Sequence, residues 1–190
     1  MKRLALPLAL AALMLAACNE APTANAPAAQ AQTPAPAPAA FSTADFPALS
    51  GRVVDAAELL TPAQEAALTG ELATLERRTS DQLVVVTVPS LGGRAIADYG
   101  MALGNHWHVG QRGRDNGALL IVAPNERRAR IELGLGLARI ISDARAQAIM
   151  DELMIPRFRE GQYHEGIRAA TQVLIAELIA REHEPRRGRP

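Results

Sequence analysis

The chain has one cysteine, Cys18, in 190 residues, which excludes an intramolecular disulfide. Its formal net charge is zero, with 20 Lys and Arg against 20 Asp and Glu, so no bulk attraction to nucleic acid is implied. No HExxH or paired Cys/His spacing occurs, which removes the usual zinc signatures. Gly134-Leu-Gly136 lacks the third glycine and the helix context of a dinucleotide loop. Neither Ser90 nor Ser142 stands in a nucleophile-elbow context. His106 and His108 flank Trp107 at i, i+2, share no helix face, and read as surface or helix-end residues. There is no internal repeat. The first apolar run, residues 4–17, holds roughly two-thirds of the ~20 residues a transmembrane helix needs, and Pro7 interrupts it.

What that run does have is a charged start, Met-Lys-Arg, and signal-peptide length. It ends in Leu15-Ala16-Ala17-Cys18, which resembles the lipobox of bacterial lipoproteins. The resemblance implies diacylglyceryl transfer to the Cys18 thiol, cleavage before it, and acylation of the new amino terminus. One acyl chain anchors a protein only marginally, and this pattern supplies several. Asn19 replaces the Asp that retains enteric lipoproteins in the inner membrane, which points to the outer membrane, facing the periplasm. Residues 18–44 are rich in Ala, Pro, Thr and Gln. Such a segment cannot bury enough surface to offset its ordering entropy, and as an extended Pro-rich tether it reaches at most about 80 Å at ~3.1 Å per residue. The division expected is a signal peptide at 1–17, the tether at 18–44, one domain at 45–181 and a basic tail at 182–190. That tail holds Arg186, Arg187 and Arg189.

The domain section has clear local signals. Thr61-Pro62-Ala63-Gln64 carries a capping box and a proline at the first helical position. Leu68, Leu72 and Leu75 then recur at helical spacing, predicting a helix to about Arg78. Residues 82–88 form a β-branched run stopped by Pro89, as expected of a strand buried on both faces. Ile96, Tyr99, Leu103 and Trp107 fit a second helix, and residues 117–123 a second buried strand. Strand, helix, strand reads as a right-handed crossover joining parallel strands. Residues 127–133 alternate apolar and charged, predicting a third strand in an antiparallel hairpin with the second. Gly134-Leu-Gly136 ends it. A helix capped by Ser142 is expected to stop near Met154, before Pro156. A last helix spans about 163–181, with Ile167, Ala170, Leu174 and Leu178 on one stripe. The fold class is α/β: a three-layer, Rossmann-like α/β/α sandwich with a small mixed sheet.

This topology sets the start of the first two strands beside the end of the third. Asp81, Asp115, Asn116, the Gly134–Gly136 loop and Asp143 are expected on that rim. Oxygen-rich loops suit a hard cation such as Ca²⁺, which takes about six to eight oxygen ligands. The alternative is structural: Asp before Gly is common turn chemistry, and Asp143 suits a helix start through the dipole. Arg112, Arg114, Arg127, Arg128 and Arg130 form a basic cluster, read as a solvated face rather than an anion site.

Several short motifs occur in an order that resembles the TPM domain family. They are Gly51-Arg-Val-Val-Asp55, the Val-rich strand at 83–88, Trp107-His-Val-Gly110, Asp115-Asn-Gly117, Arg130-Ile-Glu-Leu-Gly134-Leu-Gly136, Ser142-Asp143 and Ile155-Pro-Arg-Phe-Arg159. The family includes YgcG-type bacterial envelope proteins, a plant thylakoid-lumen protein and a nematode receptor-associated protein. The resemblance spans about 46–180 and implies the same α/β/α fold. It also implies a divalent-cation site, often calcium, in some members, with Asp55, Asp115, Asn116 and Asp143 at the matching acidic positions. Asp81 comes from the topology alone. Leu135 stands where the family often has an aromatic, and Ala138 where it often has a Glu, which removes one ligand or acid.

Three functions follow as expectations. The first is a membrane-anchored envelope module that binds Ca²⁺ and engages a membrane-associated protein partner, with no nucleic acid. The second is a metal-assisted acid phosphatase in which the ion polarises phosphorus or a water, with Asp115 the candidate catalytic base or nucleophile. The third is a structural adaptor without a ligand.

Overall fold

The computed structural model describes residues 46–181. The expected signal peptide, Cys18, the expected tether and the tail at 182–190 lie outside the described residues. The elements are, in order, β1 (Val53–Asp55), α1 (Pro62–Thr79), β2 (Gln82–Thr87), α2 (Ile96–Trp107), β3 (Gly117–Ala123), β4 (Arg128–Leu133), α3 (Leu135–Ala138), α4 (Asp143–Ile149), a π-helical turn (Met150–Met154), α5 (Ile155–Arg159) and α6 (Tyr163–Ala180). They form an α/β fold on a four-stranded mixed sheet in the order β1-β2-β3-β4. The first three strands are parallel and β4 is antiparallel to β3.

Strand alternation divides the core in two. Leu83, Val85, Leu120, Val122 and Ile131 face α1, α4 and α6, meeting Leu68, Leu72, Leu75, Ile167, Leu174 and Leu178. Val84, Val86, Leu119 and Ile121 face α2, meeting Tyr99, Leu103 and Trp107. Every residue of β3 is buried, whereas β4 at the sheet edge buries only Ile131. The capping box of α1 is formed in full: Gln64 N–H donates to Thr61 Oγ1 and Thr61 N–H to Gln64 Oε1. On the α2 face, the segment before β1 packs directly: the Phe46 ring meets Tyr99 edge-on, and Trp107 Nε1 donates to Pro47 O.

Three elements depart from the expectation, one of them the four-residue helix α3 where only the end of the third strand is expected. The strand β1, three residues long, was not anticipated, because three residues carry no measurable period. The helix begun at Ser142 does not stop before Pro156. It widens into the π turn and continues as α5 to Arg159. In an α-helix the proline ring would collide with the carbonyl four residues back; a π turn opens the spacing there. The Arg157 guanidinium donates to the Leu153 carbonyl in the same stretch.

Candidate functional site at the strand-start rim

The starts of β2 and β3 and the end of β4 share one edge of the sheet, with Gln82 opposite Gly117 and Ala118 opposite Leu133. Asp81 immediately precedes β2 and is fully buried. Both its carboxylate oxygens accept from Arg181 Nη2 at 2.6 Å, and Oδ1 also accepts from Asn116 Nδ2 at 3.3 Å. Asn116 is buried too. Its Nδ2 donates to Ser80 O at 2.6 Å, and its Oδ1 accepts from Gln111 N–H at 2.8 Å. Gln82 extends the network, accepting from Gly110 N–H and donating to Glu76.

This buried network holds the loop above it. Arg114 and Asp115 N–H both donate to Gln111 O. Asp115 adopts a left-handed conformation, φ 47°, which Asp tolerates better than most residues. Gly136 N–H donates to Asp115 O. The approach is so close that a Cβ on Gly134 would lie 2.3 Å from Asp115 O, and one on Gly136 2.1 Å from Arg114 O. Glycine is therefore required at both positions by backbone contact. The Asp115 side chain is exposed, and its carboxylate has no hydrogen bond or ion pair among the described residues.

Asp143 is the first residue of α4, behind the cap in which Ser142 Oγ accepts from Arg145 N–H, and is also exposed and unpaired among the described residues. Asp55 is elsewhere. It ends β1 opposite Thr87, at the finishing end of β2, six residues beyond Asp81. At ~3.3 Å per residue that is about 20 Å away, so Asp55 and Asp81 cannot share an ion. Its oxygens accept from Leu59 and Leu60 N–H and from Thr87 Oγ1, fixing the turn after β1. Of the five sequence-selected residues, the structure brings Asp81 and Asn116 into contact below Asp115, and sets Asp55 at the far end. Among the described residues, no three His, Cys, Asp or Glu side chains group as a metal-holding set.

The rim also has an apolar component. Leu135 is 74 % and Met101 57 % exposed. Both border a hollow of about 380 Å³ between α2 and β4, with Gly100, Gly104 and Glu132 on its walls. Arg181 is the residue that sequence reasoning missed here. It entered only as a helix end, and nothing local ties it to Asp81, 100 positions earlier. His106 stacks on Phe46 and His108 ends α2 in a left-handed cap, φ 53°.

A sheet with β4 turned against three parallel strands, and a glycine-clamped acidic loop at its edge, defines the class of domain. The TPM domain profile matches residues 53–177, and the chain belongs to this family. The solution NMR structure of the N-terminal domain of a protein from P. gingivalis is 33 % identical with a TM-score of 0.65, over 72 % of this chain and 88 % of that one. The NMR structure of the BA42 protein from Bizionia argentinensis is 20 % identical, TM-score 0.57, over 65 % of this chain and 83 % of that one. The N-terminal domain of the cg2496 protein from Corynebacterium glutamicum is 16 % identical, TM-score 0.50, covering 80 % and 93 % respectively. The last two likenesses concern the fold alone. No curated protein matches the chain.

Proposed function

We propose that this TPM-domain protein is a YgcG-type cell-envelope lipoprotein, held to a membrane through lipid on Cys18, whose strand-start rim engages a membrane-associated partner with a divalent cation at the Asp115 loop. The observation that carries this reading is Asp115 itself: an exposed carboxylate, unpaired among the described residues, on a loop held by buried Asn116 and by main-chain contact with Gly134 and Gly136. A loop fixed before binding loses little entropy on engaging a ligand. Exposed Leu135 beside it supplies apolar contact area.

The residues fit a cation only in part. Asp55, Asp81 and Asn116 spend their oxygens inside the protein, so they supply no free ligand. Asp115 and Asp143 carry open carboxylates, and the remaining ligands for Ca²⁺ would be main-chain carbonyls and water. The ion would supply positive charge for anionic groups of a partner. No described helix is long and apolar enough to cross a membrane, so membrane attachment in this reading depends on Cys18 and the lipobox.

Two measurements test it. In a bacterial host, mass spectrometry of the mature chain is expected to find acyl groups on Cys18, and Cys18→Ser to release the protein from membranes. Calcium titration of the Cys18→Ser chain, followed by thermal unfolding, is expected to raise stability. At a hundredfold excess over Kd the gain is about 2.7 kcal/mol, and Asp115→Asn removes it. No shift at millimolar calcium sinks the cation half of the reading.

A further inference from the structure

The opposite end of β3 carries a cleft of different character. It lies between the β3–β4 turn and the α5–α6 junction and encloses about 700 Å³. Ile155, Phe158 and Tyr163 provide its apolar wall, and Arg127, Arg128 and Arg159 its charges. Among the described residues no Asp or Glu lines it. Three other hollows of the domain each include a carboxylate: Glu132, Glu76 and Glu71.

Many arginines of this domain have partners. Arg52 pairs with Glu76, Arg130 with Glu132, Arg145 with Glu177 and Arg181 with Asp81. Arg127, Arg128 and Arg159 have no ion pair or side-chain hydrogen bond among the described residues. Their planar guanidinium groups suit oxyanions, above all phosphate. Arg127 also sits at φ 53°, closing the turn with its N–H on Pro124 O. Glycine takes that conformation at least cost, yet a long cationic side chain occupies it.

The wall is built as well. The Phe158 and Tyr163 rings lie 5.0 Å apart. Gly166 makes room for Phe158, since a Cβ there would meet Phe158 Cε1 at 2.5 Å. Tyr163 begins α6, an 18-residue helix with no side-chain cap bond, so the positive end of its dipole has the same sign as the arginines. Crevices at the carboxyl ends of parallel strands are the usual ligand position in open α/β sheets.

From this juxtaposition we infer that the cleft binds a phosphate ester carrying an apolar body, the arginines taking the phosphate and the Phe158–Tyr163 wall the body. The cleft is much larger than a bare phosphate, which is why a body is included. Two sources present this chemistry: a soluble phosphate ester and an anionic phospholipid headgroup. The inference stands apart from the cation reading, because β3 separates the cleft from Asp115 by about 20 Å at ~3.3 Å per residue.

The test uses the full chain with Cys18→Ser, so that no acyl group of its own recruits it to lipid. The probes are phenyl phosphate and inorganic phosphate by calorimetry, and vesicles of phosphatidylglycerol or phosphatidylcholine by sedimentation. Phenyl phosphate or phosphatidylglycerol is expected to bind, more weakly at high salt. Arg127→Gly and Arg159→Ala each weaken binding at least about tenfold, as loss of a charge-assisted contact does. Arg77→Ala, on exposed α1, removes the same charge and leaves binding within about twofold. Arg127→Gly relieves the backbone, so its unfolding midpoint is not lowered. Phenyl phosphate binding assigns the soluble source, and binding to phosphatidylglycerol vesicles alone assigns the headgroup. Binding of neither, equal affinity for inorganic and phenyl phosphate, or equal loss in Arg77→Ala would overturn the inference.

Discussion

The two ends of the parallel strands each set a committed acid beneath open groups, and the open groups are of opposite sign. At the starting end the acidic group Asp81 is fully buried and its partners take both oxygens. Asn116 beside it is equally committed. Asp115, on the loop above them, keeps a carboxylate with no hydrogen bond or ion pair among the described residues. At the finishing end Asp55 is the committed group, binding two main-chain N–H groups and Thr87, while the arginines around the cleft have no ion pair among the described residues. Residue type therefore does not mark a site in this domain. Unspent hydrogen-bonding capacity does, and each end consists of a committed layer under an open one.

The largest effect that would break this comparison lies in the committed layer at the starting end. Arg181→Ala leaves the Asp81 carboxylate buried without a counter-charge and is expected to cost about 3–5 kcal/mol. Asp81→Asn is expected to cost less, because Arg181, 31 % exposed at its side chain, can turn into water. Urea unfolding of both variants checks the order; equal costs would show that Asp81 is not trapped. A middle-sized effect contrasts committed and open acids across the sheet. Asp55→Ala strands the Leu59 and Leu60 N–H groups and is expected to lose about 1–3 kcal/mol. Asp115→Asn, with no partner to lose, stays within about 0.5 kcal/mol. A large loss for Asp115→Asn in the same unfolding series would place it in the committed layer.

The smallest effect concerns Glu126, in the turn before Arg127. The Leu91 N–H, and then the Ser90 hydroxyl, hold its carboxyl below its ordinary value of 4.5. The folded state thus binds its proton less readily than the unfolded chain. Its stabilising contribution is complete above pH 4.5 and is lost as pH falls through the lower folded value. Unfolding midpoints of the parent and Glu126→Gln are expected to differ at pH 7 and to converge as pH falls through the lowered folded value. A constant difference would separate the Ser90–Leu91 loop from this carboxylate.

Much of the scaffold was legible because its signals are local. The α1 capping box needs only Thr61, Pro62 and Gln64, and β3 reads directly from seven consecutive apolar or small residues, all buried. The same local logic missed β1, which is three residues long and is a strand only because β2 lies beside it. It also ended a helix at Pro156, where a π turn carries the chain through. The site was less legible. Asp115 and its clamping glycines stood out as Asp-Asn-Gly and Gly-Leu-Gly, but their contact depends on the β3–β4 register. Asp55 sits in a recognisable motif, yet its oxygens are spent on N–H groups four and five residues later, which the motif does not display. Arg127 and Arg128 were seen as part of a basic face. Arg159 and the aromatic wall that complete the cleft come from the α5–α6 junction, some thirty residues on, where no periodicity points.

The bond between Arg181 and Asp81 spans 100 positions and joins the last described residue to the start of the second strand. A chain emerging from amino to carboxyl terminus exposes Asp81 long before Arg181. Until the final turn of α6 docks, the centre of the sheet edge carries an unneutralised acid that favours water over burial. Such long-range closure is a late event in folding. The sheet edge does not lock before the whole domain is present, and a product cut short before Arg181 is expected to stay open to proteases instead of persisting as a nearly native fragment.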